Sequence, residues 1–218
     1  MSEINLLKNY PKTKRDLNQA LLERTDEVRL IARKFGKDFF DGNRKYGYGG
    51  YNYNPRFWKN VVKDFVNYYE LKDGSKILDV GCGKGFMLYD FLQLNKNFIV
   101  KGIDISSYAI ENSMPEVKKN LEVGDAKELQ FEDNSFDLVI SINTIHNLER
   151  NECARSLREI ERVSKKNKFI IVDAYKDDDE KNRMFAWNLT ARTIMHVEEW
   201  KIFFTNNNYT WDYYWFTP

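Results

Sequence analysis

The chain has 218 residues, of which 42% are hydrophobic and 31% are charged. This length and apolar content predict one folded domain with its own core and exclude a disordered chain. Its 34 basic and 33 acidic residues leave a net charge of +1. The overall charge therefore gives no sign of general electrostatic binding to nucleic acid or to an anionic membrane.

Cysteine and histidine are too scarce for a disulfide framework or a four-ligand zinc site. The chain holds Cys82, Cys153, His146 and His196, with neither a Cys-x-x-Cys nor a His-Glu-x-x-His pattern. The first residues lack the pattern of a signal peptide, and no apolar run approaches the ~20 residues of a membrane helix. We therefore expect a cytoplasmic protein with free thiols, no metal, no membrane partner and no redox role for Cys82.

The N-terminal part of the chain predicts helices on either side of a loop. Apolar residues recur at spacings of three and four over residues 13–40, which predicts a helix that Gly36 ends or kinks. Residues 41–55 are rich in Gly, Asn and Tyr and predict a loop. Pro55 is suited to begin the next helix, which we predict over 55–70.

From residue 74 onward, short apolar runs alternate with helical patterns, which predicts a parallel sheet with helices on both faces. The predicted strands are 77–80, 98–104, 121–125, 136–142 and 168–173, and the predicted helices are 86–94, 106–113 and 151–164. The last part predicts a charged helix start or loop at 177–182, a lid-like segment over 183–195, a helix over 198–204 and an edge strand at 213–216. We divide the chain into an N-terminal helical cap with a Tyr/Gly-rich lid loop, 1–73, and a core, 74–218.

The strongest motif is a glycine-rich turn between a predicted strand and a predicted helix. The strand 77–80 leads into Gly81, Gly83 and Gly85, and the helix begins at Phe86. Glycines allow a sharp turn and let a ligand lie against the main chain, while the helix N-terminus favours a negative group. The spacing is neither the Gly-x-Gly-x-x-Gly of dinucleotide folds nor a P-loop, so an NAD-dependent reductase is a distant alternative.

Acidic residues follow the next two predicted strands. Asp104 ends the second strand, where a carboxylate can accept hydrogen bonds from both ribose hydroxyls of a nucleoside. Asp125 follows the third strand, where a carboxylate can accept from the exocyclic amine of adenine. Both positions therefore predict a nucleoside-binding edge of the sheet.

These motifs, in this order, resemble those of class I S-adenosylmethionine-dependent methyltransferases, in the type 11-like branch that acts on small molecules. The resemblance is strong over about residues 74–175 and loose over 197–218. It implies an α/β, Rossmann-like, doubly wound sheet of seven strands in the order 3-2-1-4-5-7-6, with the last strand antiparallel and an N-terminal helical cap. It also implies S-adenosylmethionine as cofactor, S-adenosylhomocysteine as product and no metal.

The resemblance assigns roles to individual positions. The methionine part of the cofactor would be held by Asp79 and the glycine turn, the ribose by Asp104, the adenine by Asp125 and Ala126, and the methyl end by Asn143. The predicted cofactor-binding residues are Asp79, Gly81, Gly83, Gly85, Asp104, Ile105, Asp125, Ala126 and Asn143.

Catalytic residues are predicted from the fourth strand and the lid loop. In related phosphoethanolamine N-methyltransferases a histidine in the region of His146 works with an N-terminal tyrosine, which suggests His146 and Tyr51 here. His146 could take a proton from the acceptor, hydrogen-bond it, or be structural. Further substrate contacts are predicted at Tyr46, Tyr48, Tyr53 and Arg44. The tyrosines could instead pack on the core or stack on nucleic acid, and Trp187 and Arg192 could form an opposite wall.

We therefore predict an enzyme, EC 2.1.1.-, that methylates a small-molecule acceptor, at nitrogen or oxygen rather than carbon, as a monomer or homodimer. One alternative is a methyltransferase acting on RNA or protein. Against it, the site after the fourth strand reads Asn143-Thr144-Ile145, without an Asn/Asp-Pro-Pro-Tyr/Phe motif, and the chain shows no basic excess that would predict a nucleic-acid partner. The other alternative is a non-catalytic S-adenosylmethionine-binding regulator.

Overall fold

The computed structural model describes residues 1–12, 16–210 and 212–218. Its strands, all paired in parallel, form a seven-stranded sheet in the order β3-β2-β1-β4-β5, with β6 and β7 both on β5. The strands are β1 (Lys76–Val80), β2 (Ile99–Asp104), β3 (Leu121–Val123), β4 (Phe136–Ile142), β5 (Ser164–Tyr175), β6 (Met195–His196) and β7 (Asp212–Phe216). The helices are α1 (Leu17–Glu23), α2 (Asp26–Ala32), α3 (Lys37–Asp41), α4 (Pro55–Tyr68), α5 (Phe86–Leu94), α6 (Ser107–Glu111), α7 (Arg150–Val163), α8 (Asp178–Trp187) and α9 (Val197–Asn206).

The predicted α/β class and the order of the first five strands are confirmed. The predicted 5-7-6 end of the order is wrong, because β6 and β7 each pair with β5. The predicted antiparallel last strand is wrong, because β7 pairs with β5 in parallel, with Phe169 opposite Asp212 and Asp173 opposite Phe216. The predicted edge position is also only partly right, since Glu3 forms a parallel bridge with Tyr213 on the other side of β7.

The length of α9 explains the direction of β7. The two residues of β6 pair near the carboxyl end of β5, where Ala174 faces Met195. The ten residues of α9 then span ~15 Å, about the length of five strand residues. Helix α9 thus carries the chain back to the amino end of β5, and the strand that follows must run parallel to β5.

Two apolar clusters cover the two faces of the sheet. Along β1, Ile77 joins the cluster beneath α4 and α5, whereas Leu78 joins the cluster beneath α7 and α9. This alternation follows from the two-residue period of a strand and leaves the carboxyl edge as the place for a ligand. Helix α4 packs beside α5 in the first of these clusters, so it belongs to the helix layer that covers the sheet. The predicted cap of 1–73 therefore consists of this helix and the three short helices α1, α2 and α3.

The helix predicted over 13–40 is three helices, apart from residues 13–15, which lie outside the described residues. The side chain of Thr25 accepts a hydrogen bond from the backbone N–H of Val28 and begins α2, so the chain turns between Glu23 and Asp26. A second turn at Gly36 precedes α3. The apolar period continues across both turns, which is why periodicity alone merged the three helices.

Candidate functional site

A cavity of about 1370 Å³ lies between the cap and the carboxyl edge of the sheet. Its core wall includes Asp79, the glycine turn and His146, and its cap wall includes Arg24 and Tyr48. Of the predicted site residues, seven line this cavity: Asp79, Gly81, Gly83, Asn143, His146, Tyr48 and Arg44. The cavity therefore joins the predicted cofactor side to the predicted acceptor side.

The glycine turn has the left-handed backbone that its sequence predicts. Gly81, Gly83 and Gly85 have φ values of +87°, +52° and +78°, a region that residues with a side chain rarely adopt. A Cβ on Gly81 would lie 2.7 Å from the Cβ of Thr144 and closer still to its other side-chain atoms. The main chain at Gly81 is thus pressed against the residues that follow β4.

Two acidic side chains flank the glycine turn. Asp104 is buried, and its carboxylate accepts from the backbone N–H groups of Gly83 at 2.8 Å and Ser106 at 2.9 Å. Asp79 is also buried, and burial together with the nearby Asp104 raises its pKa to about 7. Among the described residues, no ion pair or side-chain hydrogen bond satisfies the Asp79 carboxylate.

The predicted adenine contacts lie beyond the ends of β2 and β3, outside the cavity wall. Ile105 is 57% exposed next to Asp104, an unusual position for an isoleucine. Asp125 accepts from the backbone N–H of Lys127 at 2.9 Å, and its other oxygen lies 3.5 Å from the Lys127 Nζ. Ala126 packs on the apolar cluster beneath α7 and α9. Ile105 is thus exposed, Ala126 is packed against the core, and Asp125 already pairs with Lys127.

The His146 ring is held from one side by Asp173 of β5. The backbone N–H of Asp173 donates to Nδ1 of His146 at 2.9 Å, and the Asp173 carboxylate lies 3.6 Å from Nε2. Burial lowers the pKa of His146 to about 3, so the ring is neutral at physiological pH. Since Nδ1 accepts a hydrogen bond, the single ring proton belongs on Nε2.

The four predicted loop tyrosines have different environments. The Tyr48 hydroxyl accepts from the backbone N–H of Leu189 at 2.8 Å, while Tyr53 donates to Asp90 of α5 at 2.7 Å. Tyr46 packs with Tyr48 against the small cluster of α2, and the buried Tyr51 hydroxyl has no partner among the described residues. Only Tyr48 of the four lines the cavity.

On the cofactor side, the cap is bound to the glycine turn through Lys84. Its Nζ contacts Asp41 Oδ1 at 2.5 Å and donates to the carbonyl of Tyr51 at 3.0 Å. Asp41 also accepts from the Tyr108 hydroxyl at 2.8 Å, and Ser106 donates to the carbonyl of Phe35. The cap therefore crosses the glycine turn and the end of β2.

On the other side, the cap is bound to the segment between α8 and β6. Arg33 donates to the carbonyls of Thr190 and Ala191, both at 3.2 Å, and Arg29 donates to the carbonyl of Asn188 at 3.3 Å. This segment and Trp187 form the wall that faces the cap, as predicted for Trp187. Arg192 instead pairs with Glu149 at the surface.

Sequence reasoning missed the residues that act through tertiary contacts. Asp173, Lys84, Asp41 and Arg24 were not singled out as site residues, although each lines the cavity or holds its cap. Lys84 lies inside the glycine motif, which was the one signal available for it. The others carry no local pattern.

Neither a metal-binding cluster nor a membrane-spanning helix is found in the part of the chain that the structure describes. No group of three or more His, Cys, Asp or Glu side chains in residues 1–12, 16–210 and 212–218 is placed to hold a metal ion. In the same residues, no helix combines the length and the apolar character that crossing a bilayer would require.

Comparison with known proteins places the chain among methyltransferases. The sequence model of a family described as "Methyltransferase domain" matches residues 71–211. The chain is similar to phosphoethanolamine N-methyltransferase 3 of Arabidopsis thaliana, with 36% identity over 41% of this chain and 19% of that protein. It is also similar to demethylmenaquinone methyltransferase of Symbiobacterium thermophilum, with 31% identity over 66% of this chain and 59% of that protein.

The chain thus spans less than two thirds of the length of these curated relatives. Among solved structures, a SAM-dependent methyltransferase of Methanosarcina mazei aligns with a TM-score of 0.52 and 21% identity, over 66% of this chain and 82% of that chain. At this identity the likeness supports the fold.

Proposed function

The chain belongs to the methyltransferase domain family, and from this premise we propose that it transfers a methyl group from S-adenosylmethionine to a small-molecule acceptor. The acceptor atom is nitrogen or oxygen rather than carbon. The observation that carries the proposal is the single cavity that joins the glycine turn to His146 beneath a cap bound on both sides. Pockets for one small ligand measure about 300–1000 Å³, so this cavity has room for a cofactor and a second small molecule.

The residues of the glycine turn fit the cofactor. The left-handed backbone at Gly81 and Gly83 leaves main-chain atoms bare towards the cavity, where a methionine moiety can lie. The uncompensated carboxylate of Asp79 suits the ammonium group of that moiety, because a buried charge is stable only when paired. Asp104 holds the turn through Gly83 and keeps lone pairs for ribose hydroxyls.

The bound cofactor supplies a methyl group on a sulfonium cation, which needs no Lewis acid to leave. The protein's own task is then to align an acceptor with the sulfur–methyl bond, an orientation effect worth up to about 7–11 kcal/mol. The cap bonds from Lys84 and from Arg33 hold the two halves of the cavity in one geometry.

For His146 we propose an orienting role through Nε2–H rather than proton abstraction. Nδ1 already accepts from Asp173, and burial disfavours the charged ring that proton abstraction would create. The catalytic role predicted for Tyr51 stays a prediction, because its hydroxyl is buried without a partner among the described residues but the residue does not line the cavity.

The test begins with calorimetry of S-adenosylhomocysteine binding to the purified chain. Next, S-adenosylmethionine with a radiolabelled methyl group is incubated with the protein and an extract of the source cells, and products are separated by size. Phosphoethanolamine and demethylmenaquinone are tested as pure acceptors, because relatives carry those names. Demethylmenaquinone takes a methyl group at a ring carbon, so label on it would contradict the choice of nitrogen or oxygen. Label in low-mass products supports the proposal.

Label in protein or nucleic acid would contradict the small-molecule class and leave the family unchanged. Binding of S-adenosylhomocysteine without any label transfer would favour a regulatory protein.

We further propose that the protein acts in the cytoplasm as a monomer or homodimer, without a nucleic-acid partner. The two cysteines are free and buried, as is usual in a reducing compartment. Sedimentation of the purified chain tests the assembly.

A further inference from the structure

Arg24 is a buried cation in the wall of the cavity. It follows the last residue of α1, only 7% of its surface is exposed, and it lines the cavity. Its Nη1 is buried and has no hydrogen-bond partner among the described residues. Buried charged groups are paired in most proteins, because an unpaired one loses its hydration without compensation.

Two aromatic rings hold the guanidinium group in place. The Cζ of Arg24 lies 4.1 Å from the ring centroid of Trp187 and 5.2 Å from that of Tyr48. Such cation–π contacts use the face of a ring and of the guanidinium plane, and they leave the in-plane N–H groups available for an acceptor. The rings therefore orient the group and leave Nη1 without a hydrogen-bond partner among the described residues.

The charges around Arg24 do not supply the missing partner. Arg24 forms no ion pair within residues 1–12, 16–210 and 212–218, and Glu23 beside it is engaged by the side chain of Gln19 at 2.7 Å. Burial, with Arg44 and Arg29 nearby, lowers the pKa of Arg24 to about 10, so the group is charged at neutral pH. This part of the cavity wall is thus a desolvated positive centre.

The position of Arg24 places this centre on the acceptor side. Helix α1 packs against α8, which follows β5, and Trp187 ends α8. Tyr48, the other ring, bonds to the segment after α8, and its pKa is raised by burial and by Asp173 of β5. The predicted nucleoside contacts lie instead at the ends of β2 and β3.

We infer that Arg24 binds an anionic group, a carboxylate or a phosphate, carried by the methyl acceptor. That the anion belongs to the methyl acceptor rests on the proposed methyl transfer. That an anion binds here rests only on the buried guanidinium, which the two rings orient. A carboxylate or phosphate would satisfy Nη1 with a charge-assisted hydrogen bond and would fix the acceptor at the end away from the reacting atom.

The experiment titrates the full chain with inorganic phosphate and with acetate, in the presence and absence of S-adenosylhomocysteine. The indole N–H signal of Trp187 reports binding in nuclear magnetic resonance spectra, and Trp187→Phe assigns it. The variants are Arg24→Gln, Arg24→Lys and, as matched control, Lys45→Gln, which removes an exposed positive charge from the same cavity wall.

We expect at least one anion to shift the Trp187 signal in the wild type and in Lys45→Gln. Arg24→Gln should weaken this binding by about tenfold or more, because a hydrogen bond to a charged group is lost. Arg24→Lys should retain part of it, which separates loss of charge from loss of fold. A stronger response to phosphate or to acetate identifies the anionic group.

Three results would overturn the inference. These are no shift of the Trp187 signal with either anion, an equal shift in Arg24→Gln, or competition between S-adenosylhomocysteine and the anion for the Arg24 site. In the last case, with S-adenosylhomocysteine affinity reduced in Arg24→Gln, the arginine binds the cofactor's own carboxylate. Failure of the wild type to bind S-adenosylhomocysteine would instead count against the proposed function, and the titration without it would still decide whether Arg24 binds anions.

Discussion

The backbone N–H of Asp173 donates a 2.9 Å hydrogen bond to Nδ1 of His146, and this bond fixes the tautomer of the ring. A ring nitrogen that accepts such a bond in a buried site is a poor general base, because its lone pair is already used and burial disfavours the charged ring, even with the Asp173 carboxylate 3.6 Å from Nε2. The pair thus argues for a histidine that donates from Nε2.

The first prediction concerns the pH dependence of His146. Its folded pKa of about 3 lies below the ordinary 6.5, so the unfolded chain binds the extra proton first as pH falls. The His146 contribution to the free energy of unfolding should therefore be complete above pH 6.5 and decrease as pH falls from 6.5 towards 3. The log of kcat should show no inflection from this histidine near pH 6.5.

Urea unfolding at several pH values, with His146→Asn for comparison, checks this prediction. The variant keeps an acceptor for the Asp173 N–H and should lack this pH-dependent loss. The prediction would be contradicted if kcat of the wild type fell as the pH dropped through about 6.5 and this fall were absent in His146→Asn. His146 would then act as a general base.

The second prediction concerns Asp79 and cofactor affinity. The Asp79 pKa of about 7, above the ordinary 3.8, means that the folded protein binds more protons between these values. The free energy of unfolding should therefore fall as pH rises from 3.8 to about 7 and then level off. The affinity for S-adenosylhomocysteine should increase as the pH rises towards 7, because the ammonium group of this ligand binds the ionised Asp79 carboxylate better than the protonated one.

Calorimetry at about pH 6 and 8 measures the affinity. Asp79→Asn should bind more weakly at both values and lose the pH dependence. An unchanged affinity in this variant would remove Asp79 from the cofactor site.

The third prediction compares two glycines with the same backbone conformation. Gly81 and Gly74 have φ values of +87° and +80°, but only at Gly81 would a Cβ meet the Thr144 side chain, while nothing lies within 4 Å at Gly74. Gly74→Ala should cost about 1–2 kcal/mol from backbone strain alone. Gly81→Ala should cost about 1–3 kcal/mol more from overpacking.

Thermal or urea unfolding of both variants gives the difference. Gly81→Ala should also lose S-adenosylhomocysteine binding, which Gly74→Ala keeps. Equal destabilisation of the two variants would contradict the close approach to Thr144.

The fourth prediction concerns the contact between Lys84 and Asp41 that holds the cap on the glycine turn. Lys84→Met should raise the dissociation rate of S-adenosylhomocysteine by about tenfold, because a charged hydrogen bond of about 1.5 kcal/mol no longer favours the closed cap. Stopped-flow displacement measures the rate. Lys201→Met is the control, since it removes an exposed ion pair with Glu198 at 2.8 Å, far along the chain on α9. A rate that changes equally in both variants would show that the cap contact does not retain the ligand.

The core of the fold could be predicted because its signals are local. The apolar run at Ile77–Val80 and the glycines after it specify a buried strand and a tight turn within ten residues. The direction of β7 was not predictable in this way. It depends on a two-residue strand and on the reach of α9, and neither has a sequence pattern of its own.

The same distinction separates the two halves of the site. The glycine turn and Asp79 belong to one continuous motif, and the structure brings them to one cavity as expected. Arg24 becomes a site residue only when Tyr48 and Trp187, far away in the chain, close around it. Tertiary packing rather than periodicity decides which cap residues face the cavity.

The parallel pairing of β7 with β5 also bears on how the protein folds. A parallel pair cannot close through a short hairpin, so β7 can bind only after α8, β6 and α9 have crossed back over the sheet. Contacts between such distant segments are slow to form, because the entropy of closing the loop is lost first. Tyr214 and Phe216 of β7 line the cavity, and we therefore expect its wall to be completed late in folding.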